Sequence, residues 1–430
     1  MKKNTFTKNP YILFSPFLII YVIYILVVQQ NIFIGDENRY IYYAQNLIQG
    51  YYSPPPPEIW LDKGPGYSIL LVPFVKLNIP YLFIKLLNAV FLYLSLVLLF
   101  KVLTKIAHRI LSLAACVFWG FYINSFENIQ YILPETFSTF LVVLFIFLNI
   151  NLFNKKKISY LRLTFSGFIL GFLALTKVIF SYVIVTLIVI WIIQLLSRKN
   201  SAPNIRVMLL LAMSFLTLSP YLVYTYTLTG KFFYLSNVGG NNLYWMSTPY
   251  ENEYGNWFPF HQLDIDSALL QENPILEINT KYNHKKDHEY FLKLKGSEQD
   301  EAYKEVAIRN IKNHPKKFLE NCFSNAGRLL FNFPYSYSFQ KPQTLFRLPF
   351  NGIISVFSLI LLLPTILNWK KIPLDIRFLL LFTCIYLGGS LLGSAETRMF
   401  TIIVPVLIYW IIYMLNKTIT FKLLFSKGEQ

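Results

Sequence analysis

The sequence predicts an all-α polytopic membrane protein with about ten transmembrane helices, a large first outer loop and a mixed outer domain near 229–350. Three observations predict it. Of the 430 residues, 55% are hydrophobic and only 14% are charged. The apolar residues come in blocks of about 18 or more, the length that crosses roughly 30 Å of hydrocarbon. Basic residues also concentrate in alternate connections between those blocks. Runs such as "FLYLSLVLLFKVL" and "FSTFLVVLFIFLNINLF" leave no polar face, as a soluble amphipathic helix would.

The N-terminal "MKKNTFTKNP" resembles the basic region of a signal peptide, but the apolar run after it is long and lacks a small-residue cleavage site. It reads as an uncleaved first helix over 11–29. Further spans follow near 81–103, 107–124, 135–153, 159–176, 178–196, 205–228, 351–368, 374–392 and 399–415. The stretch 67–80, "YSILLVPFVKLNIP", contains two prolines. It is too short to cross, so it lies at the interface or re-enters.

One set of connections carries 19 of the 39 basic residues against two acids, Asp375 and Glu429. That surplus equals the net charge of +17 for the whole chain. The rule that positive loops stay inside places this face, with both termini, in the cytoplasm. The basic balance thus reports topology and gives no reason to expect a nucleic-acid partner.

The chain divides into an N-terminal transmembrane module (1–228, with the first outer loop at 30–80), an extracytoplasmic loop domain (229–350) and C-terminal membrane helices with a tail (351–430). The outer domain opens on "SNVGGNNLYWMSTPYENEYGNW", which reads as turns. It closes on a helical pattern with apolar residues at Val306, Ile308, Ile311, Phe318 and Leu319. Pro315 is expected to kink or break that helix. The run Pro54–Pro57 reads as a stiff polyproline spacer. The three cysteines, Cys116, Cys322 and Cys384, are far apart and imply no disulfide framework. With five histidines and no Cys/His cluster, the sequence shows no zinc motif.

Charges at the mouths of membrane helices are costly and ask for a reason. The predicted topology brings several to the outer side: Asp36, Glu37 and Arg39 after the first helix, Asp62 and Lys63 in "WLDKGPGYSIL", Glu135 in "YILPETFSTF", Lys177 in "GFLALTKVIF", and Glu396 and Arg398 in "GSAETRMFTIIVP". Each has a plain alternative. Asp36 is a candidate helix cap. Glu37 suits a helix dipole, and Glu135 is an ordinary first-turn acid. Lys63, Lys177 and Arg398 suit snorkelling anchors. Their common side is what argues for a shared site.

"GDENRYIYYAQNLIQG" followed by "DKGPGYSILLVPF" resembles the first loop of the GT-C class of integral-membrane glycosyltransferases, with protein O-mannosyltransferases and the lipid A aminoarabinose transferase as the nearest likeness. "LPETFSTFLVVL", "GFLALTK", "IRNIKNHPKKFL" and "ETRMFTIIVPVLI" resemble later signatures in the same order, so the likeness spans nearly the whole chain. One departure is Gly64, where these relatives carry the first proline of the motif; it bears on the loop's rigidity and not on its lysine.

The resemblance implies an inverting glycosyltransferase of the plasma membrane, bacterial by its likeness. It would move a sugar from a polyprenyl-phosphate donor to an acceptor on the extracytoplasmic face. Asp36 matches the catalytic base position, with Glu37 beside it. Arg39, Lys63, Lys177 and Arg398 would contact the donor phosphate, where a leaving group's developing charge needs cations. Asp62, Glu135 and Glu396 form an acceptor or secondary acidic set. The acceptor is a glycolipid, a glycan or a protein. No cofactor is certain, although the paired acids are a candidate divalent-cation site. Tyr244 and Trp245 either stack on sugar faces or pack in a core. The rival reading is a polyprenyl-linked lipid flippase or a secondary transporter. Such carriers place charges near the bilayer midplane in repeated halves, which this sequence does not.

Overall fold

The first apolar segment forms α1, Pro10–Val28. It buries Phe14, Phe17, Tyr21 and Ile25, one stripe at helical spacing, against the bundle. The Tyr21 hydroxyl donates to the Gly120 carbonyl oxygen at 2.9 Å, so α1 is integral to the fold. Its other face exposes Ile19, Ile23, Leu26 and Val27. A helix that is apolar inside and out is satisfied only when lipid covers the outer face. In this computed structural model the described residues are 9–28, 32–153, 159–197, 202–258, 283–336, 340, 342–393 and 395–418. Among them the secondary structure is helical throughout, with no strand.

The first outer loop carries α2, Glu37–Ile48, and α3, Pro65–Lys76. At 12 residues, α3 is too short to cross, as expected for 67–80. The remaining membrane helices of the first module are α4 (Leu82–Leu103), α5 (Arg109–Gly120), α6 (Ile123–Ile129), α7 (Pro134–Asn149), α8 (Tyr160–Thr176), α9 (Ile179–Leu196) and α10 (Ala202–Thr229). Gly167 and Gly171 let α8 approach α10 closely: a Cβ on either would meet the Leu210 or Ser214 carbonyl oxygen at 2.6 or 2.5 Å. Small residues spaced four apart are the usual means of such packing between membrane helices.

The outer domain holds α11 (Gly239–Met246), α12 (Lys285–Phe291), α13 (Gly296–Asn313) and α14 (Pro315–Phe331). Then come α15 (Leu348–Leu367), α16 (Leu374–Leu391), α17 (Thr397–Thr401) and α18 (Val404–Thr418). All ten expected spans fall on helices. Six helices are long and apolar enough to cross a membrane, and α5 with α6 adds a seventh bent by 50°. The segments at 135–153, 159–176 and 399–415 are shorter apolar helices. The last of these is interrupted between α17 and α18.

Three local expectations are corrected. The Gly/Asn-rich opening of the outer domain forms a helix, α11, over Gly239–Met246, while the turns expected there are confined to the residues after it, 247–257. Its Gly240 provides close approach to α13, since a Cβ there would meet the Asp300 carbonyl oxygen at 2.0 Å. On α13 the buried stripe is Tyr303, Val306 and Ala307, while Ile308 is exposed, as is Leu319 on α14. The proline run is not an uninterrupted spacer, because the Glu58 amide donates to the Pro55 carbonyl oxygen at 3.1 Å and closes a turn inside it. Pro315 does break the helix, separating α13 from α14 at His314. Tyr244 and Trp245 pack with Phe291 and Tyr303 in the small core of the outer domain, which gives them the packing role.

Candidate active site

The first loop is pinned from two sides. The Tyr224 hydroxyl on α10 accepts from the amides of Tyr52 and Ser53. Asn237 accepts from the Leu61 amide and donates to the Ile59 carbonyl, both at 3.0 Å. The segment then runs along the C-terminal end of α8. A Cβ on Gly64 would lie 2.1 Å from the Leu175 carbonyl oxygen, and one on Gly66 would lie 2.6 Å from the Thr176 hydroxyl. Gly64 therefore allows a backbone approach that sets Lys63 beside Lys177. Gly64→Ala is expected to lower the thermal midpoint of the detergent-solubilised protein by the equivalent of about 1–3 kcal/mol, as overpacking does. Gly352→Ala, where a Cβ meets nothing within 4 Å, is the control.

Asp36 sits at the start of α2 but makes no side-chain capping bond. Its carboxylate faces Lys63 Nζ at 3.2 Å and an Arg398 terminal nitrogen at 3.4 Å. Burial alone would raise its pKa, but Lys63, Arg398 and Arg39 outweigh that and bring it down to about 2. Lys63 also lies 3.9 Å from Asp62. Asp62, whose side chain is 1% exposed, binds Arg39 at 2.6 Å and accepts a short hydrogen bond from the Tyr43 hydroxyl. Across the gap, Lys177 holds Glu135 at 2.8 Å. Arg398 lies 3.7 Å from Glu135 and 2.7 Å from Glu396. Four acids and four bases are thus brought together from the first loop, α7, the α8–α9 hairpin and α17. The cations are each held by a carboxylate within the fold.

Glu37 is placed apart from this cluster. It is buried, and its two oxygens accept from the Ile34 and Ile132 amides, each at 2.7 Å. That ties the first loop to the segment entering α7. The adjacent acids Asp36 and Glu37 face different partners and do not converge on one point. Among the described residues no three His, Cys, Asp or Glu side chains group as a metal site.

Two cavities meet at the cluster. The larger, about 1160 Å³, is lined by Asp36, Arg39, Lys63, Glu396 and Arg398 together with α6 and outer-domain residues. The smaller, about 230 Å³, is lined by Asp36, Lys63, Glu135, Lys177 and Arg398 with membrane-helix residues including Ile179, Tyr386 and Gly389. Asp36, Lys63 and Arg398 line both. Sequence reasoning missed Tyr43, which holds Asp62. It also missed the Glu127–Arg347 ion pair in the larger cavity. Glu127 did carry a signal, an acid at the end of the segment that becomes the bent α5–α6 pair.

No protein-family model matches the chain, and no curated protein matches it. Two crystal structures of ArnT from Cupriavidus metallidurans are similar to it, one bound to undecaprenyl phosphate and one in the apo state. Each shares 10% sequence identity at a TM-score of 0.41, over 94% of this chain and 77% of the other.

Proposed function

We propose that this protein is an inverting glycosyltransferase that takes a sugar from a polyprenyl-phosphate donor on the extracytoplasmic side of the membrane. The observation that carries the reading is the position of Asp36, between Lys63 and Arg398 and on the wall shared by the two cavities. The smaller cavity joins cationic side chains to apolar membrane-helix residues, which suits a phosphate carried on a lipid. The larger opens toward the outer domain and suits an acceptor.

In the chemistry proposed, the donor phosphate draws Lys63, Lys177 and Arg398 toward itself. Its charge competes with the carboxylates that hold them at rest. Asp36, released from its ion pairs, becomes a stronger base and takes the proton of the acceptor hydroxyl or amine. The acceptor atom bonds to the anomeric carbon from the face opposite the phosphate. The carbon–oxygen bond to phosphate breaks, and its electron pair leaves with the polyprenyl phosphate, where the cations stabilise it. Arg39 is committed to Asp62, so it shapes the site through that pair. Glu37 acts by fixing the backbone around Asp36.

The direct test is turnover of a polyprenyl-phosphate sugar by the purified protein in detergent, with release of polyprenyl phosphate. Absence of turnover across donor sugars would sink the reading. Orientation is checked separately. Lys286, near Asn283, is exposed on the outer domain. On a cysteine-free background, Lys286→Cys is expected to react with an impermeant maleimide in intact cells; protection until the cells are lysed would reverse the topology.

A further inference from the structure

We propose that the larger cavity is an acceptor site for a neutral, polyhydroxylated saccharide, and not for a phosphorylated lipid or a peptide. This rests on the glycosyltransferase reading and names the acceptor class. The first observation is the balance of charge on the cavity wall. Away from the Asp36 cluster, the chargeable lining other than tyrosine consists of Glu127, Arg347 and His288 among the described residues. Glu127 and Arg347 pair with each other, and His288 is neutral or at most singly charged. A phosphate group carries about −1.5 to −2 charge at neutral pH and would ask for cations; those on this wall outside the Arg347 pair belong to the Asp36 cluster, where the donor phosphate is proposed to engage them.

The second observation is the abundance of amides. Asn124, Asn128, Gln130, Asn241, Asn242 and Asn332 all line the cavity. Three of them have hydrogen-bonding capacity left over: Asn124 Oδ1, Asn128 Nδ2 and Asn241 Oδ1 find no partner in the protein. Asn124 and Asn128 are 2% and 7% exposed. The unpartnered atoms themselves have no accessible surface, so it is the number of amide side chains on the wall that suits a ligand rich in donors and acceptors. Sugar hydroxyls are both. The Arg347 Nε is likewise unpartnered, while another of its nitrogens lies 3.5 Å from the Thr397 hydroxyl, one residue before Arg398. Trp257, 39% exposed, and Tyr131 add aromatic faces to the same wall, the surfaces that pack against the apolar side of a sugar ring. The volume of about 1160 Å³ exceeds the range of about 300–1,000 Å³ usual for a small-molecule pocket, leaving room for more than one ring.

The test offers the full chain in detergent a panel of neutral, amino, carboxylated and phosphorylated oligosaccharides and Ser/Thr peptides as acceptors. A neutral oligosaccharide is expected to accept the sugar. Its KM is expected to rise at least tenfold in Arg347→Met, Glu127→Gln and Trp257→Ala, with donor KM unchanged. Trp257→Ala breaks no ion pair, so it keeps the result readable if the charge variants fold poorly. A preference for phosphorylated or peptide acceptors, or an unchanged acceptor KM in folded variants, would overturn the inference while leaving glycosyl transfer standing. If no donor is consumed, the glycosyltransferase reading falls. Calorimetric titration with the neutral oligosaccharides then decides the cavity on its own: binding weakened by the same variants supports it, and no binding overturns it.

Discussion

Asp36→Asn is expected to lower turnover by about two to four orders of magnitude, the range that removal of a general base produces. The substitution keeps the size and one oxygen and removes the proton acceptor. Asn starts a helix about as well as Asp, and the Asp36 side chain makes no capping bond here, so α2 is expected to persist. Donor binding is expected to survive as well, because loss of the carboxylate leaves Lys63 and Arg398 freer to meet phosphate. A folded Asp36→Asn protein with near-normal transfer would move the base to Glu135. That residue has one oxygen on Lys177 and a second, Oε2, without a partner. The same carboxyl sets a pH signature. Its pKa in the folded protein is held down near 2, below the ordinary Asp value of about 3.9. A depressed carboxyl contributes stability that is present above its unfolded pKa and is lost as pH falls from about 4 toward 2. Acid unfolding monitored in that window is expected to begin at lower pH for Asp36→Asn, relative to its own neutral-pH stability, than for the parent.

Much of this site was legible because charge in a membrane segment carries information that charge in a soluble domain does not. Asp36, Lys63, Glu135, Lys177 and Arg398 stand at the ends of apolar runs, so topology alone put them at one level, and the fold joins them within ion-pair distance. Three of these positions belong to the shorter apolar helices, α7, α8 and the interrupted α17–α18 segment. Length gave no warning there, since a continuous apolar run looks the same whether or not the backbone breaks within it. Glu37 was misleading for a physical reason. Adjacent residues at a helix start face different directions, so two neighbouring acids need not share a target, and the Ile132 amide it binds is far away in sequence. The Glu127–Arg347 pair was hidden because its partners lie on segments that meet only after the outer domain folds back. Asn124 and Asn128 read as unremarkable polar residues until the cavity beside them is known. The outer-domain glycines pointed to turns because flexibility is their commonest use, whereas Gly240 serves a contact that only three dimensions reveal.

Lys63→Met is expected to weaken the apparent donor affinity, or the rate constant over it, roughly ten- to hundredfold. A charge-assisted hydrogen bond is worth about 1.5–3 kcal/mol, and about 1.4 kcal/mol is tenfold. Lys63 is singled out because it lines both cavities and sits within 3.2 Å of Asp36 and 3.9 Å of Asp62. Two effects of its loss run in opposite senses and can be separated. The phosphate loses a contact, which raises donor KM. Asp36 loses its strongest charge partner, so its pKa moves up toward the ordinary carboxylate value. The comparison is made on kcat/KM, which reports the free enzyme: in the parent the ion pairs hold Asp36 low, and in Lys63→Met the acid limb of kcat/KM is expected at higher pH. An anchor at the headgroups would show neither change. Lys63→Arg is expected to recover donor affinity only in part, since the longer planar group must fit a backbone that Gly64 presses against Leu175. Unchanged donor KM and an unchanged acid limb in Lys63→Met would remove Lys63 from the phosphate site and leave Lys177 and Arg398 as the cations to test next.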